Sequence, residues 1–277
     1  MPTDDGAKGR DSIHRRSQIS ELVRANGSMR IEHLAEQFGV STMTIHRDLT
    51  HLDQQGVLRK VRSGAEARPS EAFEHSLRHR EQLHVAEKSA VAAAAIAWAA
   101  DRVDMQAVAL DDSTTCLHLL PLLRTRLPLQ VITNFLPVVN ELATEPEARL
   151  TVIGGEYIPD FAAFGGPAAV QALADLHCDV AFMSVPAVAR AMCFHSSRSE
   201  ADTKRAFMAS AELRVLMVDH HKFTRRAVHR VSSLLDFDAV VVDAGIDEEE
   251  LHALREEGVQ VVVAPLGASG PGRKAHP

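Results

Sequence analysis

Two groups of residues in this chain have the types and spacing to do chemistry. In the first, Thr42, Met43, His46, Arg47 and Thr50 fall on one side of a helical repeat, and Ile45, Leu49 and Leu52 recur on the other at i, i+4 and i+7. Hydroxyls, an imidazole and a guanidinium on one helix face match base edges and phosphates. In the second group, polar turns follow short apolar runs: Asp111-Asp112-Ser113-Thr114-Thr115, Thr133-Asn134, Gly154-Gly155-Glu156 and Asp219-His220-His221-Lys222. Backbone N–H groups at a helix start, with Ser and Thr hydroxyls beside them, suit a phosphate. For the 111–115 turn alone an ordinary hydroxyl cap is the alternative, and a glycine pair after a strand usually only turns the chain. Four such strand ends together point to a site.

The first group needs a helix presented at its N-terminal end. Ser41 carries a hydroxyl placed to cap that helix, and Gly39-Val40 closes the turn from an earlier helix with the apolar stripe Ile31, Leu34, Ala35 and Phe38. This is a helix-turn-helix pattern, whose second helix would offer Ser41, Thr42, Met43, Thr44, His46 and Arg47 to DNA; a helical hairpin that simply packs is the alternative on pattern alone. Next comes VLRKVRSGA, an apolar/basic alternation expected to form a two-stranded wing that carries Arg59, Lys60 and Arg62 toward phosphates. A solvated strand edge is the alternative for these cations, and an ion pair with Asp48 or another carboxylate is the alternative for Arg47. Replacing His46 is expected to change sequence preference, and replacing Lys60 to lower affinity for every sequence.

The second group needs strands that end together. Apolar runs at 107–110, 129–132, 150–153, 180–183, 215–218, 239–242 and 259–264 alternate with helical stretches such as SAVAAAAIAWAA, GPAAVQALADL and EEELHALREE. Near-continuous apolar strands separated by helices predict a mostly parallel sheet covered on both faces, with ligands at the strands' carboxyl ends. The expected organisation is a disordered lead at 1–12, a winged helix-turn-helix domain at 13–66, a linker that becomes a helix at 67–88 (anchored by Phe73 and Leu77), an effector-binding and oligomerisation domain at 89–266, and a loose tail at 267–277.

The 277 residues carry a formal net charge of −7, distributed as +2 over residues 1–65 and −9 over the rest. The positive excess lies where DNA would be met. No run of about 18 apolar residues and no hydrophobic leader appear, so a cytoplasmic protein without a membrane segment is expected. Cys116, Cys178 and Cys193 are too far apart for a metal cluster and odd in number for a disulfide framework, and read as small buried residues. Neither a metal nor a cofactor is expected.

On these residues a resemblance is specific. RRSQISELVRANGSMRIEHLAEQFGVSTMTIHRDLTHLDQQGVLRKVRSGA resembles the winged N-terminal domain of the DeoR family of bacterial transcriptional regulators. It departs at His46, where the family usually has arginine, and at Ser63, which replaces the first glycine of a His-Gly-Gly-Ala ending. LDDSTT, VITNFL, TVIGGEY, the D-x-A-F at Asp179, the E-A-x-x-K-R at Glu200 to Arg205 and VDHHKF are similar to successive motifs of the family's effector domain. That domain is similar in fold to sugar-phosphate isomerases. The resemblance implies an α/β chain that represses carbohydrate genes, binds double-stranded DNA as a homo-oligomer (dimer or tetramer), and is controlled by a phosphorylated sugar or related metabolite. Asp111, Ser113, Thr114 and Thr115 would hold the phosphate or a sugar hydroxyl, beside Thr133, Asn134, Gly154 and Gly155, with Lys222 as the cation. Ser184-Val185-Pro186 and Met192-Cys193-Phe194-His195 stand where the family usually carries glycines, which implies a changed pocket.

Two other readings compete. Asp111, Asp112 and Lys222 could serve as general acid/base groups of an aldose-ketose isomerase, but a fold does not imply its commonest function and an attached DNA reader gives a pocket another purpose. The second domain could also be an oligomerisation module without a ligand. The favoured mechanism is linkage, in which a ligand at the strand ends shifts the spacing or mobility of the readers through the 66–88 segment.

Overall fold

The computed structural model describes residues 15–16, 18–20, 22–23, 26, 28–54, 58–67 and 77–266. The expected lead at 1–12, the tail at 267–277, Phe73 and parts of the first helix lie outside these residues. The chain divides into two compact units, Met1–Glu81 and Gln82–Pro277.

In the first unit the described residues between 15 and 26 are helical and bury Ile19 and Val23. The helix Ile31–Phe38 buries Ile31 and Leu34 against them and ends at Gly39, which takes the left-handed conformation at φ 61°. Ser41 Oγ then accepts the Thr44 N–H at 3.2 Å, capping the helix Thr42–Gln54. Ile45, Leu49 and Leu52 complete one small core with Leu58 and Ala65. The wing has three strands, not two. β1 (Ser28–Arg30) pairs antiparallel with β3 (Gly64–Ala67), which pairs antiparallel with β2 (Leu58–Val61). A three-residue strand is too short to show a period. It fixes Gly64, however, because a Cβ there would stand 2.0 Å from the Met29 carbonyl oxygen.

The second unit is built on seven strands: β4 (Ala107–Leu110), β5 (Leu129–Thr133), β6 (Ala148–Val152), β9 (Cys178–Met183), β12 (Ala211–Val218), β14 (Ala239–Asp243) and β15 (Val261–Ala264). Their order is β15-β14-β12-β9-β4-β5-β6, and every neighbouring pair is parallel. Each apolar run expected as a strand overlaps one of them. The helix Val85–Ala100 packs across β12, β14 and β15, and its buried Ala92, Ala95 and Ala99 permit close approach. From β4 the chain winds outward through β5 and β6, then returns to the other side of β4 and continues through β9, β12, β14 and β15. The winding therefore reverses between β4 and β9, and a crevice outside the carboxyl ends of these two strands is the expected ligand position.

Two additions were not expected from the sequence. A hairpin of β7 (Glu156–Ile158) and β8 (Ala163–Gly165) follows β6, and β10 (Ala187–Ala189) with β11 (Met192–His195) follows β9 and joins β13 (His229–Ser233) in a small antiparallel sheet. Both leave the main sheet at its carboxyl edge. Among the described residues no helix is long and apolar enough to cross a membrane.

Candidate functional site

The helix Thr42–Gln54 has two opposed faces. Ser41, Thr42, Met43 and Arg47 are exposed, Met43 by 61%, and Thr44, His46 and Thr50 are half-buried beside them. On the inner side Asp48 is buried and pairs with Arg15 at 2.7 Å and Arg16 at 3.2 Å, tying the helix to the helical stretch before it. Asp48 is therefore engaged away from Arg47, whose side chain lies on the open face. The wing cations are placed unequally. Lys60 Nζ donates to Thr50 Oγ1 at 2.7 Å and to the His46 carbonyl at 3.3 Å, so it braces the wing against the helix. Arg59 pairs across the wing with Glu66. Arg62 is exposed in the turn between the strands, the position from which a wing reaches the backbone of a duplex.

In the second unit a buried ionic cluster occupies the switch point. Asp111, 0% exposed, follows β4; its Oδ1 accepts the Ser113 N–H at 3.1 Å and the Cys116 thiol at 3.3 Å, and its Oδ2 accepts the Ser184 N–H at 3.0 Å. The cation beside it is Lys204, from the helix Arg198–Ala209, with Nζ 2.7 Å from Asp111 Oδ2 and 2.6 Å from Asp112 Oδ1. Burial works against the Lys204 charge, but the two carboxylates outweigh it and hold its pKa well above the usual lysine value. One turn earlier on the same helix, Glu200 is buried; desolvation first and the Asp112 carboxylate second push its pKa up to about 9. At neutral pH it is a neutral acid.

The remaining expected residues divide. Ser113 caps the helix Thr114–Leu117 through the Cys116 N–H, the alternative held open for this turn, and Thr114 and Thr115 are buried beside it. Thr133 Oγ1 donates to the Leu110 carbonyl and accepts the Phe135 N–H, so it fastens β5 to β4. Asn134 Nδ2 donates to the Phe164 carbonyl of β8. Gly155, at φ 144°, is required by the β7–β8 hairpin, since a Cβ would lie 2.4 Å from the Gly165 carbonyl oxygen, whereas a Cβ on Gly154 would meet nothing within 4 Å. Lys222 Nζ lies 3.6 Å from Asp219 Oδ2 at the end of β12. The hairpins close this edge: a Cβ on Gly165 would stand 2.7 Å from Glu200 Oε1. Asn134 Oδ1 and both oxygens of Asp219 are buried without a hydrogen-bond partner among the described residues.

Glu200, Lys204 and Ser184 were not among the expected site residues. Glu and Lys at i and i+4 on a helix ordinarily form a solvated pair; only the E-A-x-x-K-R resemblance marked them.

Comparison with known proteins agrees with both halves of this geometry. Residues 15–71 match a family model described as a DeoR-like helix-turn-helix domain, and residues 83–244 one described as the DeoR C terminal sensor domain. A protein of Escherichia coli O157:H7 described as a repressor of the aga operon is 31% identical, with 90% of this chain and 93% of that one covered. The lactose phosphotransferase system repressor of Staphylococcus aureus is 30% identical over 87% of this chain and 95% of its own. The glycerol-3-phosphate regulon repressor of E. coli K12 is 27% identical over 89% and 97%. With a helix-turn-helix reader, a sensor domain built on a parallel sheet and matches along nearly its whole length, the chain belongs to the DeoR family and is a DNA-binding transcriptional regulator, not an enzyme.

Proposed function

We propose that this regulator represses carbohydrate-metabolism genes as a dimer or tetramer, reading double-stranded DNA through Ser41, Thr42, Met43, Thr44, His46 and Arg47, with Arg62 on the phosphate backbone. A phosphorylated sugar or related metabolite at the carboxyl edge of β4, β5 and β9 sets its affinity for the operator. The observation that carries the effector reading is the buried Asn134 Oδ1 at the carboxyl end of β5, which accepts no hydrogen bond. An unpartnered buried polar atom costs about 1–3 kcal/mol, and a polyhydroxylated ligand supplies the donor it lacks. Relatives named for a lactose phosphotransferase system and a glycerol-3-phosphate regulon support a sugar-derived ligand. The residues expected to hold its phosphate are Ser113, Thr114 and Thr115, with Lys222 as the expected cation and open space at Gly154.

Selection of bound sequences from a random DNA pool, with and without a panel of sugar phosphates, tests both parts. The expected result is a repeated half-site that one ligand of the panel releases or retains. If low salt enriches no sequence, the reading fails at the DNA step; if a half-site emerges that no sugar phosphate affects, it fails at the effector.

A further inference from the structure

We infer a metal site beside the turn that follows β12, for a divalent first-row metal ion of the zinc class. His84, Glu87 and His221 each offer one ligand atom there, all within 4.8 Å of one another. Four-coordinate zinc at about 2.1 Å from each ligand needs those atoms about 3.4 Å apart, a closure within reach of modest side-chain rotation. Two imidazoles and a carboxylate are the donor set of zinc and its neighbours, not of calcium or magnesium.

Three features build the site. His84 holds a left-handed backbone at φ 53° immediately before the helix Val85–Ala100, a conformation sparsely used by non-glycine residues and retained where the surroundings impose it. Glu87 lies one turn along, on the same face of that helix. On the other side, the 3-10 turn His220–Thr224 is fixed by Asp243, which accepts the His220 N–H at 2.8 Å and meets its Nδ1 at 2.7 Å. That anchor presents His221, whose ring stacks on His84 with centroids 3.8 Å apart. The charge balance also favours a dication. Asp219, 1% exposed, has no hydrogen bond on either carboxylate oxygen, so with Glu87 it opposes the single ammonium of Lys222. Three protein ligands leave one coordination position, which a solvent molecule would fill.

The ion would join the start of the helix Val85–Ala100 to the turn after β12. Titration of the chelator-stripped full chain with Zn²⁺ tests this, without DNA or sugar. One equivalent should bind per chain. His84→Asn, which keeps a residue tolerant of the left-handed backbone, and His221→Asn should each weaken binding at least tenfold, whereas His252→Asn on the remote helix Glu248–Glu256 should not. X-ray absorption of the Zn²⁺-loaded wild type should show two imidazole ligands, and this reading needs no variant to fold. Substoichiometric binding, fewer than two imidazoles, or unchanged affinity in both folded variants would overturn the site.

Discussion

Asp111 illustrates how burial can give a residue a different role from the one its type suggests. A general base must be reachable and have lone pairs to offer; this carboxylate is fully buried and accepts from Ser113, Cys116, Ser184 and Lys204. It organises the switch point instead, and Lys204 is the counter-charge that makes two adjacent buried carboxylates tolerable. Lys204→Ala should therefore cost about 3–5 kcal/mol, because removing one partner leaves buried charge uncompensated, and urea unfolding of the full chain would measure it. A loss below about 1 kcal/mol would mean that the cluster is solvated. Glu200 makes a prediction of opposite kind. Its folded pKa, about 9, lies above the ordinary 4.5, so its contribution to stability is complete below the ordinary value and declines as pH rises through about 9. Glu200→Gln, a permanently neutral replacement, should flatten the stability profile across that interval while leaving stability at pH 5 close to wild type. An unchanged slope would place the titration elsewhere.

At the scale of elements, what the sequence disclosed and what it hid follow from which signals were local. The parallel strands are continuous Val/Ile/Leu runs such as Ala239–Asp243, wholly buried, so composition and length alone mark them. The recognition helix was equally open to reading, since its cap, its turn glycine and its apolar stripe lie within fourteen residues of one another in the sequence. The covering hairpins were not: their strands are only three or four residues long, and the β10–β11 turn carries no turn residues. β10 and β11 are joined by Arg190-Ala191, both with φ near +50°, where Asn-Gly or Gly-Gly would announce a two-residue hairpin loop. The Glu200–Lys204 pair stayed hidden for a related reason: its burial is set by these hairpins and by β4, far away in sequence. The Arg190 backbone is strained for an L-residue by about 1–2 kcal/mol, and its side chain is exposed. Arg190→Gly should thus raise stability by about 0.5–1 kcal/mol, after the entropy that glycine adds to the unfolded chain is subtracted. Calorimetry of the two proteins decides it, and a lower melting temperature would show that the arginine makes a contact worth more than the strain.

Across the whole molecule the charges are divided by task. The first 65 residues are mildly positive and the remainder carries −9, so the domain that must approach DNA is joined to one that DNA repels at low salt. Affinity then rests on a few well-placed contacts, which makes it sensitive to small biases from the effector site. Arg62→Gln should weaken binding to all sequences and lower the slope of log K against log salt by about one per subunit in contact, whereas substitutions at His46 should redistribute sequence preference with little change in slope. The same economy of contacts means that a coupling of about 1.4 kcal/mol shifts operator affinity tenfold. Coupling of this kind is reciprocal. If an effector at the β4–β9 crevice lowers operator affinity by some factor, operator DNA must lower the affinity for that effector by the same factor, and calorimetric titrations of effector into free and operator-bound protein should return it. Unequal factors would show that the ligand acts by changing the assembly state between the two titrations, and that the linkage runs through subunit association instead of through the segment joining the two units.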